Sequence, residues 1–212
     1  MSSDSVLIGD LIKSKNTASR QELQNQLRSV LQSVNEKYGK SSLGPAEITR
    51  GDEFEGAYRD PSVCFQAYRE IELLLYPHRI RGGIGVGSID TRVGNEVSLM
   101  DGPAFHRARE AMEKITGSNP NLIVKSGNQR EDETLNSLLN LVYVLKNQWT
   151  ERQWEVIEFY LRDEKQTHES VAKHFQITQP AVSKLLSRAH LEDVLEAEKL
   201  IEKRLKELGA GV

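Results

Sequence analysis

The sequence predicts an α+β fold, an antiparallel sheet with helices on one face, followed by an all-α part that carries a helix-turn-helix. Three observations predict it. Across residues 1–126, β-branched runs of strand length alternate with segments whose apolar residues recur three and four apart. Residues 127–134 are polar and charged with no apolar period, which marks a linker. Beyond them every apolar pattern is helical.

The first strand is expected over residues 6–12, an apolar run interrupted only by Gly9 and Asp10. Leu23, Leu27, Val30, Leu31 and Val34 then share one helical face, opened by a capping box of Ser19 with Glu22. A breaker-rich loop leads into two strands, residues 46–49 and 54–58, that flank a Gly-Asp-Glu turn as a hairpin does. Asp60 before Pro61 opens the second helix, with Val63, Cys64, Ala67, Ile71, Leu74 and Leu75 on one face and Pro77 stopping it. Residues 80–89 read as a strand whose Gly82, Gly83, Gly85 and Gly87 admit another backbone or a ligand. Gly102 and Pro103 start a third helix, and residues 122–124 form a last strand. The order strand, helix, strand, strand, helix, strand is a split βαβ arrangement, the order of ferredoxin-like and palm domains.

Composition narrows the function classes. With 212 residues, 38% hydrophobic and 28% charged, the chain is apolar enough to bury a core, and two domains are expected. A net charge of −3 excludes a histone-like polycation. The single cysteine, Cys64, cannot form an internal disulfide and is expected to act as a small buried hydrophobe. No apolar stretch is long enough to span a membrane and no signal peptide is recognisable, so a cytoplasmic location is expected.

The first candidate site is acidic. In a split βαβ sheet the exit of the first strand lies beside the hairpin turn, so Asp10 is expected to approach Asp52 and Glu53. Three carboxylates at one corner would suit a divalent cation, Mg2+ or Mn2+, as oxygen ligands. Turns also favour acids on conformational grounds, and spacing does not choose between the two readings.

The strings VLIGDLIKSK from Val6, ITRGDEFEGAY from Ile48, RIRGGIGVGSIDT from Arg79 and MDGPAFHRAREAM from Met100 together resemble the SatD family of bacterial proteins. That family is similar to the palm, nucleotidyl cyclase-like fold of class III cyclases and GGDEF diguanylate cyclases. The resemblance implies that Asp10 and Asp52 match the metal-holding acids and Glu53 the Glu of GGDEF enzymes. It also implies that the backbone of Leu11, Ile12 and Gly51 approaches nucleotide phosphates. The Asn and Arg that stabilise the cyclase transition state are missing, since His106 and Glu110 stand at their positions. Arg107 and Arg109, on the same helix, are the candidate substitutes, with His106 beside them. Arg50 stands where the first glycine of GGDEF would lie, obstructing close approach of a guanine nucleotide. A metal-dependent nucleotidyl cyclase or transferase is therefore the alternative to a regulator, and a purely structural assembly domain is the third reading.

The second candidate site lies in residues 135–190. Leu135, Leu138, Leu139, Val142 and Leu145 share one helical face. Thr150 and Gln153 form a capping box that opens the next helix, with Trp154, Ile157 and Leu161 at helical spacing. Residues 168–189 follow helix-turn-helix grammar, with Val171, small Ala172 and Phe175 inward, Ile177 in the turn, Thr178 as cap, and Val182, Leu185 and Leu186 inward on the second helix. This stretch resembles the helix-turn-helix regions of bacterial regulators and of sigma-factor region 4. Gln179, Ser183, Lys184, Ser187 and Arg188 are left outward, the side-chain types that contact base edges and phosphates of double-stranded DNA. Residues 150–189 hold six basic and six acidic side chains, so affinity is expected to be modest and salt-sensitive. The final segment, residues 191–212, is an amphipathic helix whose seam, interrupted by Glu198, either pairs two copies into a homodimer or packs on its own chain. The leading expectation is a cytoplasmic DNA-binding transcriptional regulator, dimeric, whose palm-like domain takes a metal and nucleotide.

Overall fold

The computed structural model describes residues 3–12, 20–91, 96–115, 121–163 and 165–210. Its order is β1 (Asp4–Leu11), α1 (Arg20–Tyr38), β2 (Ser42–Arg50), β3 (Glu53–Tyr58), α2 (Pro61–Leu74), β4 (Ile80–Gly87), α3 (Pro103–Glu113), β5 (Leu122–Lys125), α4 (Gln129–Lys146), α5 (Glu151–Leu161), α6 (His168–Phe175), α7 (Gln179–Arg188) and α8 (Leu191–Ala210). Each element follows a local signal. The hairpin between β2 and β3 turns at Gly51, whose φ of 68° suits glycine. Asp60 caps α2 by accepting from the Ser62 amide at 2.8 Å, and Thr150 caps α5 in the expected capping box with Gln153. Ser19, expected to cap α1, lies outside the described residues.

The five strands lie in the order β2-β3-β1-β4-β5. The first four neighbours pair antiparallel, whereas β5 runs parallel to β4, so the sheet is mixed rather than wholly antiparallel. Helices α1 and α2 cover one face, where Leu7, Leu27, Phe65, Tyr68 and Ile71 pack together. Helix α3 covers the other, against Val6 and Ile8, which corrects the expectation of helices on one face only. The reason is the glycine pattern of β4. A Cβ on Gly83 or Gly85 would stand 2.3 Å from the Ala108 carbonyl oxygen or 2.0 Å from that of Ala104, so these glycines let α3 lie directly on the strand. Gly82, facing the opposite way, meets the Tyr68 ring of α2.

Beyond β5 the chain departs from the expected layout. Residues 129–134, read as linker, form the opening turns of α4, capped by Asn128. Leu135, Leu139, Val142 and Tyr143 of α4 and Val194, Ile201 and Leu205 of α8 belong to the same buried cluster as the sheet and α2. Helices α5, α6 and α7, with Leu191 at the start of α8, form a further cluster centred on Val156, Ile157, Val171, Val182 and Leu186. An amphipathic seam specifies a buried face but not its partner, and here the seam of α8 is spent within the chain on α2 and α4. Among the described residues no helix is long and apolar enough to cross a membrane.

Candidate functional site

The acidic corner forms where the strand register puts it. Asp10 pairs directly with Glu53 on β3 and with Arg81 on β4, and direct cross-strand partners share a face. Arg81 then claims Asp10: its Nε donates to Oδ1 at 2.7 Å and its Nη2 to Oδ2 at 2.8 Å. This fork uses both carboxylate oxygens, the strongest geometry for such a pair. Bonding to Asp10 also pushes the Arg81 guanidinium above its ordinary pKa, and the Asp52 charge nearby adds to that shift. No group of three His, Cys, Asp or Glu able to hold a metal ion occurs among the described residues. Asp10, expected with Asp52 and Glu53 to hold a Mg2+ or Mn2+ ion, thus has both of its carboxylate oxygens bonded to the Arg81 side chain.

Of the backbone groups expected to approach phosphate, the Ile12 amide is engaged, donating to the Arg79 carbonyl at 2.8 Å. Leu11 is buried in the sheet against Ile80, and the Gly51 carbonyl accepts from Gln24 at 2.9 Å. Along α3 the three candidates diverge. Exposed His106 stands 3.7 Å from Asp101. Arg107 donates to the Val86 carbonyl at 2.5 Å and lies against Gly127. Arg109 faces the buried Glu55, whose carboxyl burial pushes above the ordinary glutamate range while the Arg109 charge pulls it down. They do not converge on one point, because adjacent helix positions lie about 100° apart.

Cys64 is fully buried, and burial drives its thiol well above the usual range, so it carries no nucleophile chemistry.

In the α5–α7 cluster the expected interior is present. Val171, Ala172, Val182 and Leu186 are buried and Phe175, Ile177 and Leu185 half-buried. Gln176 adopts a left-handed conformation, φ 53°, and the Ile177 amide returns to the Ala172 carbonyl at 3.0 Å, closing α6 tightly before Thr178 caps α7. Gln179, Ser183, Lys184, Ser187 and Arg188 are all exposed. Ser183 and Ser187 also line a cleft of about 790 Å³ with Glu192, Asp193 and Glu196 of α8.

Sequence reasoning missed the groups that join the two halves of the chain. Lys146 of α4, 6% exposed, donates to Glu72 of α2 and, at 3.4 Å, to Glu198 of α8. Arg69 of α2 binds Glu198 at 2.6 Å and Glu202 at 2.7 Å. The available signals were a lysine inside the apolar face of α4 and the glutamate that interrupts the seam of α8.

Solved structures with some similarity to the chain include two. One is the structure of a bacterial light-regulated adenylyl cyclase, at 16% identity over 58% of this chain and 75% of that one, with a TM-score of 0.42. The other is the regulator of polyketide synthase expression from Bifidobacterium adolescentis, at 13% identity over 99% of this chain and 80% of that one, with a TM-score of 0.25. Neither likeness extends to activity at these scores. No curated protein is significantly similar to the chain. The SatD family model matches residues 5–203, nearly the whole length, and the chain belongs to the SatD family.

Proposed function

We propose that this SatD-family protein is a DNA-binding regulator that reads double-stranded DNA with α7. The observation that carries this reading is the division of α7 into two faces. Val182 and Leu186 are buried, while Gln179, Ser183, Lys184, Ser187 and Arg188 face solvent. A short, capped helix held by its apolar side and exposing amide, hydroxyl and basic groups fits the width and chemistry of a major groove. The α6–α7 pair is read as a helix-turn-helix, supported by the tight left-handed link at Gln176. The cleft beside Ser183 and Ser187 mixes acids of α8 with Lys199, so backbone contact is assigned to Lys184 and Arg188 of α7 itself. Two copies on a two-fold site belong to the same reading, but not through the seam of α8, whose Val194, Ile201 and Leu205 are buried within the chain.

The N-terminal sheet is read as a ferredoxin-like, palm-type core extended by α3 and β5. The order β2-β3-β1-β4 with α1 and α2 on one face supports this. The Asp10–Arg81 pair argues for a structural rather than a nucleotidyl-transfer role.

The test is selection of bound fragments from a genomic library, followed by titration of the enriched site. The wild type is expected to bind it with strong salt dependence, and Lys184→Ala with Arg188→Ala to abolish binding at an unchanged melting temperature. Unchanged affinity in the double variant overturns the reading.

A further inference from the structure

A second feature lies apart from α7. A cavity of about 400 Å³ opens between α2, α4, α5 and α8, within the usual range for small-ligand sites. Apolar Trp149, Trp154 and Ile157 line it together with charged Glu72, Lys146 and Glu198. The charged lining is a chain of five groups: Glu72, Lys146, Glu198, Arg69 and Glu202, each bonded to the next. Both ends are carboxylates, so three negative groups meet two positive ones. Side chains of Glu72, Lys146 and Glu198 are 5–7% exposed, and those of Arg69 and Glu202 about a quarter. The pair at the mouth, Lys37 with Glu70 at 2.7 Å, is internally neutral and does not correct the imbalance. The surplus negative charge adjoins a largely desolvated network, where a counter-charge that joins it is favourable.

The aromatic lining favours the same sign. Lys146 Nζ stands 5.8 Å from each of the Trp149 and Trp154 ring centroids, the distance at which ring faces attract cations. We propose that this cavity binds a small organic cation, a protonated amine on an aromatic or apolar body. The amine supplies the missing positive charge and the body packs on the tryptophans. Because Trp154 and Ile157 come from α5 while Glu72 comes from α2, an occupant links the α5–α7 cluster to the main core. The proposal does not depend on DNA binding by α7.

The full chain has two tryptophans, and both line the cavity, so indole fluorescence excited at the red edge reports the site directly. Three probes share one body: 2-phenylethylamine, 2-phenylethanol and 3-phenylpropionate. The amine is expected to give a saturable change, the alcohol one at least about tenfold weaker, and the acid none. Glu202→Gln leaves the five-group chain neutral at a partly exposed position and is expected to weaken amine binding about tenfold while leaving the far-ultraviolet dichroism and melting temperature unchanged. Equal binding of amine and alcohol, preference for the acid, no binding of any probe, or unaltered amine affinity in a folded Glu202→Gln protein each overturns the proposal.

Discussion

Arg69 on α2 and Glu198 on α8 meet at 2.6 Å, in a junction that fastens the last helix of the chain to the second. Glu198 also accepts from Lys146 of α4, so three helices from distant parts of the sequence share one buried carboxylate.

Lys146→Ala is expected to lower unfolding free energy by roughly 3–5 kcal/mol, because Glu72 loses the cation bonded to it and remains buried. Lys146→Met combined with Glu72→Leu removes a charge of each sign and is expected to recover most of that loss, with Arg69 still holding Glu198. Guanidinium titration of the three proteins measures both. A single variant as stable as wild type would contradict the role given to the pair.

Gly85→Ala is expected to destabilise by roughly 1–3 kcal/mol through overpacking. Its Cβ would stand 2.0 Å from the Ala104 carbonyl oxygen and 2.4 Å from the Ala108 amide nitrogen, and backbone cannot rotate aside as a side chain can. The exposed Ser88→Ala, three residues on, is expected to change stability by less than about 0.5 kcal/mol under the same denaturation.

Glu55→Gln is expected to raise the melting temperature around neutral pH. Burial, reinforced by Glu53 and Glu47 and opposed by Arg109, lifts the carboxyl above 4.5 in the folded protein. The native state then holds this proton more tightly than the unfolded chain, so ionisation costs stability as pH rises past 4.5 and through the folded value. The advantage of the glutamine is expected to vanish on acidification below 4.5, where both states keep the proton. Melting curves across that range decide it, and a wild type more stable at neutral pH would mean that attraction to Arg109 outweighs burial.

Much of the architecture was legible because its signals are local. The hairpin glycine, Asp60 before Pro61, the Thr150–Gln153 box and the period of α7 each act within one or two turns of chain, and each produced the element it predicts. The opening of α4 was misread because residues 129–134 carry no apolar side chain. That turn is held by the Asn128 cap and by early acids, Glu131 and Asp132, which favour a helix N-terminus. The face chosen by α3 was not legible either, since the β4 glycines permit a close neighbour on either side without naming it.

The candidate sites divide along the same line. Outward and inward positions of α7 follow from helical period alone, and so do the buried positions of α8. The proximity of Asp10 to Glu53 was foreseeable from topology, yet Arg81 entered only through the β1–β4 register. Spacing along a chain tells which side chains share a face, because that is set by backbone geometry within a few residues. It does not tell what the face meets, because the ion pairs of Asp10 and Lys146 and the burial of α8 depend on distances between segments that only the closed fold brings together.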